Sequence, residues 1–328
     1  MYSVFVTRAL PGQGLERLRE FSEVAVFPLA REITKEELLQ VIPDHDAVIT
    51  MLADPIDADV IAASRKLKVI ANYAVGFNNI NITAATARGI AVVNTPDVLT
   101  DASADFAWAL LLAAARRVVE ADSLVRRGLF TGWAPEQLLG VEVHGKTLGI
   151  IGAGRIGQAV AKRAQGFGMR VLYHNRSRLP EAVEKELSLK YVDLETLLKE
   201  ADFITLHCPL TAETRHLIGA RELQLMKPSA VLINTSRGPV VDEAALVQAL
   251  REKWIYGAGL DVYECEPDLY PGLAELPNVV LAPHIASAGR ETRLRMVDLV
   301  VNDVIAVLQG ERPRNLVNPE IFAKEDGR

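Results

Sequence analysis

The stretch 147–178, TLGIIGAGRIGQAVAKRAQGFGMRVLYHNRSR, decides how the whole chain is read. An apolar run, TLGII, leads into glycines at Gly152, Gly154 and Gly157. A helical pattern, RIGQAVAKRA, follows, and then a second apolar run, RVLYH. The order is strand, turn, helix, strand. In this context the G-x-G-x-x-G glycines permit, in turn, a tight bend, close approach of the backbone to a pyrophosphate, and close packing of helix on strand. The helix opening at Arg155 and Ile156 presents its first-turn N–H groups and a positive dipole end to the phosphates. The stretch predicts a dinucleotide-binding turn.

At the end of the second strand such a turn usually has an acid, which hydrogen-bonds the ribose 2′-hydroxyl of NAD. Here Asn175, Arg176, Ser177 and Arg178 offer no carboxylate and two guanidiniums. An anionic 2′-phosphate is repelled by an acid and attracted by these residues, because arginine binds it with a fork of donors and Ser177 can donate as well. The expectation is therefore NADP(H) in preference to NAD(H), with NAD(H) still usable. The competing reading is a pair of solvated arginines on an exposed loop.

Outward from this stretch, strand-like runs alternate with helical patterns. SVFVT (3–7), VAVF (24–27), AVIT (47–50), KVIAN (68–72) and IAVVN (90–94) form one series. TLGIIG (147–152), RVLYH (170–174), DFITLH (202–207), AVLINT (230–235), GAGLDV (257–262) and VVLAPH (279–284) form a second. Such alternation predicts two α/β modules, each a doubly wound parallel sheet wrapped in helices. The 328 residues suffice for about two domains. Between the series, 100–127 reads as a helix too apolar to be solvated all round, buried in the protein or in a subunit interface. After His284 a long helical pattern, about 288–309, is expected to return the chain to the first module, since 311–320 has no core of its own.

Composition narrows the function classes. A net charge of −6 argues against a nucleic-acid footprint. The pairs Arg116-Arg117 and Arg126-Arg127 read as solvated helix faces. AWALLLAAA (107–115) is far too short for a membrane span. Cys208 and Cys265 have no zinc-like spacing and read as reduced thiols of a cytoplasmic protein, and the N-terminus reads as a first strand. No metal site is expected.

Three polar groups fall at or just beyond strand C-termini in the second series, where open α/β sheets bind ligands. Arg237 follows AVLINTS, Glu266 lies in GLDVYECEP, and His284 ends VVLAPH. Singly, each has a bland explanation in a surface ion pair or a core histidine. Together their chemistry is coherent. Imidazolium can give a carbonyl oxygen its proton, a carboxylate stabilises the protonated ring, and an arginine fork holds a substrate carboxylate. His284 is the expected acid/base, Glu266 its partner and Arg237 the anchor of a 2-oxo acid.

With NYAVGFNNI (72–80), HCPLTAETRHLI (207–218), INTSRGPVVDEAAL (233–246) and LAPHIASA (281–288), the pattern resembles the D-isomer-specific 2-hydroxyacid dehydrogenases over nearly the whole chain. Within that family it is most similar to glyoxylate/hydroxypyruvate reductases. The resemblance implies a Rossmann cofactor domain, 100–287, inserted in a flavodoxin-like substrate domain made of 1–99 and 288–328. It implies reduction of a small 2-oxo acid, glyoxylate or hydroxypyruvate, to glycolate or D-glycerate. It also implies a homodimer built around the helix beginning near residue 100. The amides of Val75 and Gly76 would bind the substrate carboxylate with Arg237. Asp261 would contact the nicotinamide amide, with Thr235, Ser236, Cys208 and Pro209 lining the cofactor groove. Leu52 would line the substrate pocket, and Trp133 would reach the neighbouring subunit's pocket. Ala286, often glycine in the family, adds a methyl at a local cofactor contact.

Other readings stay open at this point. Formate dehydrogenases have Gln where this chain has Glu266. Phosphoglycerate and phosphite dehydrogenases share Arg, Glu and His, although 72–80 shows no basic cluster for a phosphate. From a different class, dinucleotide-sensing transcriptional corepressors share the fold but have longer tails than the IFAKEDGR seen here.

Overall fold

The computed structural model describes residues 1–322. Positions 323–328, which close the expected 288–328 segment and most of the IFAKEDGR tail, lie outside the described residues. The chain forms two compact units, Met1–Leu99 with Ala288–Arg328, and Thr100–Ser287.

The first unit is built on five parallel strands: Tyr2–Val6 (β1), Ser22–Val26 (β2), Ala47–Thr50 (β3), Val69–Asn72 (β4) and Ala91–Val93 (β5). Their order is β2-β1-β3-β4-β5, the flavodoxin-like arrangement. The inner strands are apolar on both faces, as a parallel sheet covered by helices requires. Short helices start where the sequence supplies caps. Thr34 and Glu37 make a capping box for Lys35–Val41, and Asp57 and Asn81 accept amide hydrogens at the starts of Ala58–Ala63 and Ile82–Ala87. The C-terminal helix Arg290–Leu308 packs against Gly14–Arg19 and β4, returning the chain as expected. Beyond it, Val317 N–H donates to the Val92 carbonyl (2.7 Å). The buried Asn318 accepts from Val92 N–H (2.8 Å) and donates to the Ile90 carbonyl (2.9 Å).

The second unit has seven parallel strands: Thr147–Ile151 (β6), Arg170–His174 (β7), Leu189–Tyr191 (β8), Phe203–Leu206 (β9), Val231–Asn234 (β10), Gly257–Leu260 (β11) and Val279–Leu281 (β12). The order β12-β11-β10-β9-β6-β7-β8 is the dinucleotide-binding arrangement extended by β12. The order in which strands are added reverses at β6, with β7 on one side and β9 on the other, so a crevice opens beyond the C-terminal ends of β6 and β9. Sequence reading missed β8, a three-residue edge strand whose pattern, LKY, carries no period of its own.

Helix Thr100–Ala115 belongs to the interior of this unit. Trp108, Leu110, Leu111 and Ala115 are buried, and the helix packs on β10, β11 and Arg155–Ala164. Interior burial, one of two options open from the sequence, accounts for its apolar middle. The helical pattern read over 100–127 is broken at Arg117, which takes a left-handed conformation (φ 52°) and pairs with Glu120 through Nε (2.9 Å) and Nη2 (2.8 Å). The continuation, Val118–Arg126, buries none of its residues. Among the described residues no helix is long and apolar enough to cross a membrane, and no group of His, Cys, Asp and Glu is arranged to hold a metal ion.

Candidate active site

The glycine turn follows β6 directly, and its glycines answer to three different constraints. Gly152 has φ +95°, and a Cβ there would lie 2.4 Å from the Cys208 backbone nitrogen. A Cβ on Gly157 would lie 2.4 Å from the Gly152 carbonyl oxygen. At Gly154, the cap of helix Arg155–Ala164, a Cβ would meet no atom within 4 Å. Two glycines are thus needed for the protein's own packing, and the third leaves open space where the helix begins.

The neighbouring groups suit an anion. Burial pushes the Cys208 thiol up to about 11 and His207 down to about 4, so both are uncharged at neutral pH. Cys208 is buried and Pro209 exposed. Thr235 Oγ1 is buried without a hydrogen-bond partner among the described residues, an orphan polar atom of the kind a ligand satisfies. These features fit a nicotinamide dinucleotide, with Gly154, the first-turn amides from Arg155 and Ile156, and Thr235 as the groups to hold it.

The loop after β7 differs from its sequence reading. Asn175 Oδ1 accepts the Ala153 amide (2.6 Å) and so braces the glycine turn. Arg178 is exposed but already paired. Its Nε (2.8 Å) and Nη2 (2.7 Å) both donate to Glu184, which also accepts from the buried Tyr173 hydroxyl. That hydroxyl in turn accepts the Leu179 amide (2.8 Å). The bidentate pair with a carboxylate only 6% exposed engages two of the guanidinium nitrogens, while the Arg178 side chain stays 65% exposed. Arg176 and Ser177 are exposed, and the Arg176 charge is among the influences that hold the Glu213 carboxyl low, after the hydrogen bond from Thr211.

Arg237, Glu266 and His284 come together beyond β10, β11 and β12. His284 Nδ1 lies 2.8 Å from Glu266 Oε2, and the Tyr263 amide donates to Glu266 Oε1 (2.9 Å). Burial pushes the Glu266 carboxyl up, but the hydrogen bond and charge of His284, the Tyr263 amide and the Arg237 charge outweigh it and hold the group below its usual range. Burial lowers the Arg237 guanidinium from its ordinary value while Glu266 opposes the shift. Arginine stays charged even so. A carboxylate beside an imidazole favours the protonated ring and fixes its tautomer, and a neighbouring guanidinium adds a fork for an anion. The set can hold a monoanion and deliver a proton.

Several supports for this geometry were not foreseen. Asn234 ends β10, accepts from the Ser236 amide (3.0 Å) and hydroxyl (2.9 Å), and donates to the Arg237 carbonyl (2.9 Å). Gly238 abuts the Tyr263 peptide so closely that a Cβ would lie 1.8 Å from it. Asp261, expected at the nicotinamide amide, is fully buried and engaged with the backbone. Its two oxygens accept the amides of Ile285 and Ala286 at 2.7 Å each. Those bonds fix the two residues after His284, which itself sits at φ 54°.

Of the residues expected to bind substrate, Leu52, Val75 and Gly76 lie half-buried in loops of the first unit. Trp133 is 85% exposed in the second unit, within the segment following Val118–Arg126.

A family profile described as D-isomer specific 2-hydroxyacid dehydrogenase, NAD binding domain, matches residues 108–286. The chain is 55% identical over 322 residues to the glyoxylate reductase of Thermococcus gammatolerans, covering 97% of this chain and 96% of that one. It is similar in structure to a Thermus thermophilus protein, with 51% identity and a TM-score of 0.90 over 96% of this chain and 99% of the other. It is also similar to the NADPH-dependent glyoxylate/hydroxypyruvate reductase of Sinorhizobium meliloti, solved with NADP and malonate, with 35% identity and a TM-score of 0.85 over 96% of each chain.

The Arg178–Glu184 pair makes a pH prediction. Hydrogen bonds from Arg178 first, and from Tyr173, hold the Glu184 carboxyl at about 2. A depressed folded value contributes stability above the unfolded value, and that contribution is lost as pH falls through the folded one. Glu184→Gln should be less stable than the parent at neutral pH, with the gap closing between about pH 4.5 and pH 2. Urea denaturation across that range checks it. A gap that stays constant with pH would mean that ionisation of Glu184 is not its source.

Proposed function

The chain belongs to the D-isomer-specific 2-hydroxyacid dehydrogenase family, and on that premise we propose that it reduces glyoxylate and hydroxypyruvate to glycolate and D-glycerate. The observation that carries this reading is the 2.8 Å contact between His284 Nδ1 and Glu266 Oε2, with the half-buried Arg237 charge acting on the same carboxylate. The nicotinamide dinucleotide, when bound, supplies the hydride. The protein's own residues supply the rest. Arg237 fixes the substrate carboxylate and polarises the adjacent ketone or aldehyde. His284, protonated at both ring nitrogens, gives the Nε2 proton to the carbonyl oxygen, and Glu266 balances the charge before that transfer. The amides of Val75 and Gly76 bind the carboxylate, and Leu52 forms an apolar wall.

NADP(H) is the proposed preferred cofactor. The reading is supported by the exposed Arg176 and Ser177 at the end of β7 and by the lack of a carboxylate at 175–178. Arg178 is assigned to shaping the loop through Glu184. A homodimer is also proposed. It is supported by an apolar surface unusual for a monomer, in which Val118, Val119, Val125, Leu129, Phe130, Trp133 and Leu139 are each more than half exposed. A second copy covering this segment would bury them, and Trp133 would then lie at the subunit boundary.

Each part has its own measurement. His284→Ala should lower turnover of glyoxylate by about 10²–10⁴-fold with little change in NADPH binding. Near-normal turnover in the His284 variant would remove it from the chemistry. Arg176→Ala should raise the KM for NADPH by about tenfold and leave that for NADH nearly unchanged. A parent enzyme that favours NADH would overturn the cofactor proposal. Sedimentation equilibrium should give about twice the 35.8 kDa of one chain. A single-chain mass at micromolar concentration would sink the dimer.

A further inference from the structure

The loop after β4 is held in an unusual way, through its carbonyl groups. A trans peptide carries its carbonyl and the following N–H in opposite directions, so whatever fixes the one aims the other. The Ala74 carbonyl accepts the Thr95 amide (2.9 Å), and the Val75 carbonyl accepts Asn94 Nδ2 (2.7 Å). Both adjacent carbonyls therefore face one segment, Asn94–Thr95. The N–H groups paired with them, those of Val75 and Gly76, face away from it on a common side. Among the described residues neither N–H has a hydrogen-bond partner. The next carbonyl, that of Gly76, accepts Asn72 Nδ2 (2.6 Å), and Asn72 Oδ1 in turn accepts the Thr50 hydroxyl (3.0 Å). The clamps are themselves anchored. Asn72 is fully buried, Asn94 is 9% exposed, and the Asn94 amide donates to the Asn315 carbonyl (3.3 Å).

Adjacent amides that converge on one side form an anion-binding concavity. We infer that Asn94 is a positioning residue: through the Val75 carbonyl its side chain aims the Gly76 amide at the substrate carboxylate, beside the Val75 amide that the Thr95 N–H sets, while Asn72 fixes the next peptide. The inference rests on the 2-oxo-acid reading above. The choice of side chain fits the task. An amide donates to the carbonyl without bringing a charge, whereas lysine or arginine at position 94 would itself attract the carboxylate and an ionised aspartate would have no proton to give. Burial keeps water from replacing the clamp.

The test uses the full chain with NADPH bound. Asn94→Asp preserves shape and removes the donor when ionised, and Asn94→Ala removes the side chain. Both should raise the KM for glyoxylate and the inhibition constant of oxalate in parallel, by about tenfold, with kcat within about threefold. NADPH affinity, measured by fluorescence titration, should stay within about twofold, since its glycine turn lies in the other unit. In Asn94→Asp the KM ratio to the parent should shrink toward low pH, because protonating the new carboxyl restores a donor to the Val75 carbonyl. A general loosening of the fold would show no such rescue, and Asn94→Ala, with no group to titrate, should show none either. If the parent reduces glyoxylate and binds oxalate but both variants keep their constants within about twofold, the positioning role is overturned and the 2-oxo-acid reading stands. If the parent neither reduces glyoxylate or hydroxypyruvate nor binds oxalate, both fall together.

Discussion

One buried carboxylate governs the shape of the candidate site. Asp261 is wholly out of solvent, and a charge there without partners would cost several kcal/mol. Burial pushes its carboxyl up, and the amides of Ile285 and Ala286 act against that shift. Those amides reach it only because the chain bends sharply after β12, with His284 in the left-handed region at φ 54°. A side chain with a Cβ adopts that conformation at a cost of about 1–2 kcal/mol. The two hydrogen bonds to Asp261 offset the strain. The same bend sets the imidazole beside Glu266, so the histidine's position follows from satisfying a neighbouring charge.

The same device recurs with neutral amides wherever a strand hands over to a functional loop. Asn234 closes the turn that carries Arg237, and Asn175 braces the glycine turn through the Ala153 amide. Asn72 and Asn94 hold the carbonyls of the loop at 74–76. A side-chain amide donates and accepts at once, so it can replace the ladder bonds that end with the strand. It does so without adding charge near groups proposed to meet anions. Hydrophobic packing sets where the strands lie, and these amides set where the loop peptides point.

Much of this was legible in the residues, and the boundary of what was legible has physical causes. The glycine turn could be read because each glycine answers to a local constraint. The wide spacing of Arg237, Glu266 and His284 could be bridged because parallel strands deliver their C-terminal ends to one edge. Edge strand β8 escaped notice because LKY gains its conformation from pairing with β7. The kink at Arg117 was hidden by continuous helical periodicity and depends on Glu120 capturing the guanidinium. The pairing of Arg178 was hidden in the sequence because its partner, Glu184, sits one turn into the next helix. Only the folded loop shows that the two meet, with Tyr173 between them. Carboxylates and amides that serve the backbone have no sequence signature, since their partners are main-chain groups present at every position.

The charge pattern of the proposed site bears on its cycle. With His284 protonated, Arg237 and His284 against Glu266 leave one net positive charge, matched to a 2-oxo acid monoanion. Glu266 is held below the usual carboxylate range, so it remains ionised throughout and the balance is set by the histidine alone. In the proposed reaction, proton transfer to the carbonyl oxygen would neutralise the ring while hydride donation would leave a positive charge on the cofactor. The charge would move away from the imidazole, and the total would be conserved. In a partly desolvated site such a change counts for more than it would in water. The proposed role of the His284–Glu266 pair is therefore to keep the ring's charge paired before transfer, which a neutral amide in place of the carboxylate could not do.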